Sequence, residues 1–128
     1  MIQLTKKEII TFQKRFDCFK NARVSHVFYS CRNELFRIIL EVQDLTESSQ
    51  PCCKFITLIM WGCFSMKIIN SNAENYVLSY GLHILFEKNN VGLEFGCFNN
   101  PPKNITEMIT SPLHAVGKSL YWMNAVYK

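Results

Sequence analysis

Hydrophobic positions recur with a helical period only near the start of the chain. Ile9, Phe12, Phe16 and Phe19 follow one another at three- and four-residue spacing, the stripe of an amphipathic helix. Ahead of them, Thr5-Lys6-Lys7-Glu8 matches the S/T-x-x-E capping box. There the Thr5 hydroxyl would accept from the Glu8 backbone N–H, and the Glu8 carboxylate would reach back to the N–H of Thr5. Leu4 and Ile9 flank the cap as a hydrophobic staple. These features predict a helix over about residues 6–18, laid on a sheet through its phenylalanines.

After Asn21 the period becomes two. Ala22, Val24, His26 and Phe28 alternate with Arg23, Ser25, Val27 and Tyr29, and Arg32-Asn33 marks a turn. Over 35–42, Phe36, Ile38, Leu40 and Val42 form one face, with Arg37, Glu41 and Gln43 on the other, the signature of a half-buried strand. Residues 44–50 are polar and Pro51 closes a loop. Residues 55–61 are apolar on both faces, as in a central strand. Gly62 interrupts the run before it resumes over 63–69, which predicts a bulge or sharp bend. Asn70, Ser71, Asn72 and Asn75 mark a further connection. Residues 76–80 read equally as a short strand or a turn of helix.

Residues 82–88 and 91–95 around Asn89-Asn90 predict a hairpin, because Asn tolerates the positive φ of a type I′ turn. Ile84 and Phe86 share one face, and Glu87 would lie opposite Gly92. The Pro101-Pro102 pair makes 99–104 a loop. The tail, 115–127, is either a last strand on the hairpin or a C-terminal helix, with Ser119-Leu120-Tyr121-Trp122 favouring the strand. The expected fold class is α+β, with an N-terminal helix packed on a mostly antiparallel sheet of about six strands and residues 1–128 forming a single domain.

Composition narrows the function classes. The 128 residues are 48% hydrophobic and 19% charged, which excludes a disordered chain. Their length suffices for a core without staples. The formal net charge is +4. The one dense basic cluster, Lys6, Lys7, Lys14, Arg15 and Lys20, reads as the solvated face of the helix rather than a nucleic-acid stripe. No stretch reaches the ~18 apolar residues of a membrane span. Lys6, Lys7 and Glu8 interrupt the segment where a secretory signal needs an apolar run. The six cysteines are irregularly spaced and lack a C-x2-C pair, so reduced thiols are expected and no metal or cofactor.

Candidate chemistry is sparse, and no residue is assigned a catalytic role. His26 and His83 fall in predicted strands, and His114 follows Pro112 in a predicted exposed loop. Gly62-Cys63 and Gly96-Cys97 place thiols beside glycines, without a nucleophile signature or a following helix to activate them. Asp17 and Asp44 lie at element ends, and Glu87 and Glu94 are expected on a solvated strand face. No glycine-rich phosphate loop and no aromatic RNA-binding signature is present. Tyr76, Tyr80, Tyr121, Trp122 and Tyr127 are the residue types that anchor interfaces.

The segment Phe16-Asp17-Cys18-Phe19-Lys20-Asn21-Ala22-Arg23-Val24-Ser25-His26-Val27 carries a resemblance. It is followed by an L-x-I-x-L-x-V-like strand, a bent W-G-C-F and an N-S-N-A-E-N-Y segment. Over roughly residues 9–96 this arrangement resembles small bacterial immunity proteins of polymorphic toxin and contact-dependent growth inhibition systems. The resemblance implies a cytoplasmic, non-enzymatic protein, monomeric or homodimeric, that binds and neutralises one cognate toxin domain by direct contact. It transfers no site residue. Inhibitors of nuclease toxins are often acidic, whereas this chain is basic, which suits an acidic toxin surface or one held away from the active-site cleft. The alternative expectation is a small enzyme or ligand-binding domain using His114 or a cysteine thiol.

Overall fold

A computed structural model describes residues 1–45, 52–68 and 76–125. The expected loop residues at Pro51, the asparagine-rich connection at 70–75 and Tyr127 lie outside the described residues.

The chain forms mostly antiparallel sheet, with two short α-helices among the described residues. In order, the elements are β1 (Ile2–Leu4), α1 (Ile9–Arg15), β2 (Ala22–Ser30), β3 (Leu35–Asp44), β4 (Cys52–Trp61), β5 (Ser65–Ile68), β6 (Val77–Leu78), β7 (His83–Glu87), β8 (Asn90–Glu94), α2 (Ile105–Met108), β9 (Leu113–Gly117) and β10 (Ser119–Asn124). One sheet of six strands has the order β1-β10-β4-β3-β2-β6, and a second of four has the order β5-β9-β8-β7. The expectation of one sheet of about six strands is therefore corrected. Two-to-four-residue strands such as β1, β5 and β6 are too short to show a period.

The second sheet arises where the chain turns out of the first. Gly62, at φ +67°, ends β4 and sends the chain to β5, so the expected bend is present. Lys118 makes the return from β9 to β10, and its N–H donates to the Trp61 carbonyl at 3.0 Å. The two corners lie against each other, since a Cβ at Gly62 would approach Lys118 Cγ to 2.7 Å. The tail is thus two strands, β9 in the second sheet and β10 beside the central β4 of the first.

Between the sheets lies a core that includes Phe36, Leu40, Ile56, Leu58, Met60 and Leu120 from the first and Val91, Leu93, Phe95 and Ala115 from the second. The Phe36 and Phe95 rings meet at 5.9 Å across the layers. Phe12, Phe16 and Phe19 join this core, their rings 5.2–5.4 Å from one another, and Phe12 lies 5.3 Å from Trp122.

The N-terminal helix is shorter than predicted and is capped differently. Leu4 pairs with Leu120, so residues 5–8 are used in a turn and α1 starts at Ile9. The Glu8 N–H donates to the Thr5 carbonyl at 3.1 Å, and the Thr5 hydroxyl donates to the Glu8 carboxylate at 2.8 Å. After Arg15 the backbone turns through Asp17, Cys18 and Phe19, all at positive φ. This tight turn keeps Phe16 and Phe19 buried although the α-helix has ended.

Two registers also differ from expectation. In β2 the pairing with β3 shifts between Val24 and His26. A bulge inserts one residue and reverses the alternation beyond it. Val27 therefore turns inward, while His26 and Phe28 face out. In the second hairpin Glu87 pairs with Asn90, so the turn is Lys88-Asn89, with Lys88 at φ +52°. Leu85, not Glu87, lies opposite Gly92, and His83 comes opposite Glu94.

Candidate functional site

Two regions gather polar and aromatic side chains. The first is a row across the second sheet on the side away from the core. Pairing aligns Lys67, His114, Glu94 and His83 on four adjacent strands. Residues 95–112, including α2, cover this side. Gly92 makes the cover possible, because a Cβ there would stand 2.3 Å from Met108 Sδ. A glycine inside a strand signals such an approach.

Glu94 is fully buried, which corrects its expected place on a solvated face. Its carboxylate accepts from Ser111 Oγ at 2.8 Å, from the Cys97 N–H at 2.9 Å and from the Phe98 N–H at 3.4 Å. His83 Nδ1 lies 2.9 Å from its other side. Burial by itself would push the carboxyl pKa up. The hydrogen bonds from His83, Ser111 and the two backbone N–H groups overcome this and hold it below the ordinary value. Glu87 lies at the neighbouring edge and accepts from the Ile105 N–H at 3.0 Å. The pair of glutamates expected as solvated hairpin residues instead ties the covering segment to the sheet.

His114 is buried in β9 rather than exposed in a loop. Its Nδ1 lies 2.8 Å from the Ser111 carbonyl and its Nε2 3.2 Å from Ser65 Oγ. Cys63 is buried too, its thiol directed at the Ser65 carbonyl at 3.7 Å. Burial pushes this thiol pKa up, more than its backbone hydrogen bonds pull it down, which leaves less of the reactive thiolate. Cys97 is half-buried with Sγ 3.5 Å from the Tyr76 hydroxyl. Burial and that contact push the Tyr76 pKa upward. His114, Cys63 and Cys97 do not line three hollows of about 150, 190 and 350 Å³ formed by described residues. No group of three or more metal-ligating side chains occurs among the described residues. In a labelling time course with a thiol reagent at pH 7, exposed Cys18, Cys31 and Cys53 should react first. Cys63 should react only at the rate of unfolding, and its labelling at the rate of the exposed thiols would contradict its burial.

Asp44 is also buried, at the end of β3, and binds Arg15 Nη2 at 2.9 Å together with Lys54 Nζ. Arg15, from the basic cluster, therefore serves an internal ion pair and stacks 5.3 Å from Trp122. Asp17 lines the 190 Å³ hollow with Lys20 and Cys53.

The second region is the outer face of the six-stranded sheet, read directly from the registers. One row across five strands is Phe28, Arg37, Ile59, Tyr121 and Gln3. Above it run Ser30, Leu35, Trp61 and Ser119, and below it His26, Ile39, Thr57 and Met123. Phe28 is 46% exposed, and Trp61 and Met123 are each 42%. The Arg37 guanidinium lies 5.0 Å from the centre of the Phe28 ring. No carboxylate pairs with Arg37 among the described residues. At the far end Arg23 and Glu41 form an ion pair at 2.9 Å. Of the expected anchors, Tyr121 belongs to this face, and Trp61, which was not among them, stands on it as well. Trp122 is buried on the inner side, and Tyr80 is exposed on the turn after β6. Arg37 and Phe28 were not singled out by sequence, because the bulge that exposes Phe28 breaks the alternation that would have buried it.

This pair of packed sheets defines a predominantly antiparallel β protein, in which no described helix is long and apolar enough to cross a membrane. No protein-family model matches the sequence, and neither a curated protein nor a solved structure matches the chain.

Proposed function

We propose that this protein is a non-enzymatic immunity protein, acting in the bacterial cytoplasm, that neutralises a cognate toxin domain by direct contact through the outer face of its six-stranded sheet. The proposal includes the α+β arrangement, with α1 backing the sheet through Phe12 against Trp122 and the opposite face left for the partner. The observation that carries it is the composition of that face. Trp61, Phe28, Tyr121 and Arg37 are the residue types that dominate binding energy at interfaces, and they stand on paired strands of one rigid sheet. The contrast with the other region supports the same reading. His114, Cys63 and Glu94 are enclosed and engaged in internal hydrogen bonds, as groups that hold a fold together are.

The test is protection. If a toxin domain is encoded beside this gene, co-expression with it should rescue growth, and absence of rescue or of such a gene would end the proposal. Trp61→Asp should abolish rescue and weaken binding by about thirtyfold or more, the scale of losing one anchor residue. Its far-UV circular dichroism and denaturation midpoint should stay near those of the wild type, because Trp61 is outside the core.

A further inference from the structure

We infer that the surface received by the outer sheet face is an acidic protein surface, apolar at its centre, that places a carboxylate opposite Arg37. The inference rests on reading this face as a protein-docking surface and adds the chemistry of what docks.

The size of the face is the first argument. Five strands at about 4.8 Å and five residues at about 3.3 Å enclose roughly 400 Å². That lies within the range of the largest patch on an ordinary monomer, which is often functional. It is about half of the ~800 Å² that each partner contributes to a standard interface. Ile59 and Thr57 in the central strand are buried, and the exposed Phe28, Trp61 and Met123 stand around them.

Charge then selects the occupant. The middle row contains one ionised group, Arg37, between Phe28 and Ile59. The other charges aligned on the face, Arg23 and Glu41, already neutralise each other. Packing an apolar layer over Arg37 would strip its water without replacing it, a large penalty for an unpaired ion. A carboxylate across the interface meets the planar guanidinium through two parallel hydrogen bonds and removes that cost. The Phe28 ring beneath holds the guanidinium in place for it. A second copy of this chain fits less well. Face-to-face stacking would bring another Arg37 into the same layer, about 10 Å thick, while the acid on that face, Glu41, is already paired with Arg23. The formal net charge of +4 acts in the same direction at longer range.

The experiment uses the whole chain and two small probes of one shape and opposite charge, 3-phenylpropionate and phenethylamine, followed by amide and indole NMR shifts. The carboxylate probe should shift Phe28, Arg37, Ile59, Tyr121 and the Trp61 indole, and the amine should leave them unmoved. Arg37→Gln should weaken the carboxylate probe by about tenfold, the loss of one charge-assisted contact. Trp61→Ala should weaken it as well. Shifts centred on Lys6, Lys7 and Lys14, equal response to the amine, or indifference to Arg37→Gln would overturn the inference. Sedimentation of the free protein should show a monomer. A dimer dispersed by Trp61→Asp would assign the face to a second copy and overturn it too. Loss of toxin protection with an intact probe map would remove the immunity reading alone. Protection by Arg37→Gln at wild-type level, with no probe binding, would remove this inference alone.

Discussion

Replacing Glu94 by alanine is expected to destabilise the protein by about 3 kcal/mol or more, the range found when one member of a buried charged network is deleted. Four donors converge on this carboxylate, and its removal leaves the Cys97 and Phe98 N–H groups without their acceptor and the Ser111 hydroxyl with only the Leu113 carbonyl. Urea unfolding of Glu94→Ala should therefore show a large fall in midpoint. The 95–112 segment should also lose hydrogen-exchange protection before the six-stranded sheet does, because the lost contacts join that segment to β8. An unchanged midpoint would mean the network contributes nothing net. The same carboxylate sets a pH signature. Its folded pKa is depressed, so its contribution is fully present above the unfolded value of about 4.3 and disappears as pH falls from there through the lower folded value. Glu94→Gln should flatten that part of the stability profile and leave the profile above it parallel to the wild type.

Replacing Phe36 by alanine should cost about 3–5 kcal/mol, the usual range for removing a fully buried ring. Phe36 has no exposed surface. Its ring faces Phe95 across the two sheets, where neither backbone can move inward to close the void. The informative control is Phe28→Ala, in the neighbouring strand but on the outer face. It should change stability by about 0.5 kcal/mol or less, as surface substitutions do, while weakening partner binding. Chemical denaturation measures both. Equal losses from the two substitutions would mean that the outer face is packed against something within the chain.

The contrast between these phenylalanines shows where the sequence was legible. Phe36, Ile38, Leu40 and Val42 alternate without interruption along β3, and all four are buried. In β2 the same rule placed Phe28 with Ala22 and Val24. One bulged residue, which carries no signature in the amino acids around it, reverses the strand beyond Val24. The reversal puts Phe28 beside Arg37 on the exposed face.

The hairpin shows the same dependence. Asn89-Asn90 had the better turn chemistry, yet the turn is Lys88-Asn89. That shift aligns His83 with Glu94, and the covering segment converts a glutamate expected in solvent into the centre of a buried network. The histidine expected to be exposed, His114, is buried under the same cover.

From the sequence alone came the apolar β3 and central β4, the bend at Gly62, the buried phenylalanine stripe of residues 12–19 and the absence of a familiar catalytic motif. These follow from local properties, namely side-chain period, the backbone freedom of glycine and the chemistry of short motifs. The division into two sheets, the burial of Glu94, His114 and Asp44, and the exposed aromatic face around Arg37 were decided only by the tertiary structure. Each depends on which strands pair and in what register, and a shift of one residue exchanges the two faces of a strand while leaving its sequence pattern unchanged.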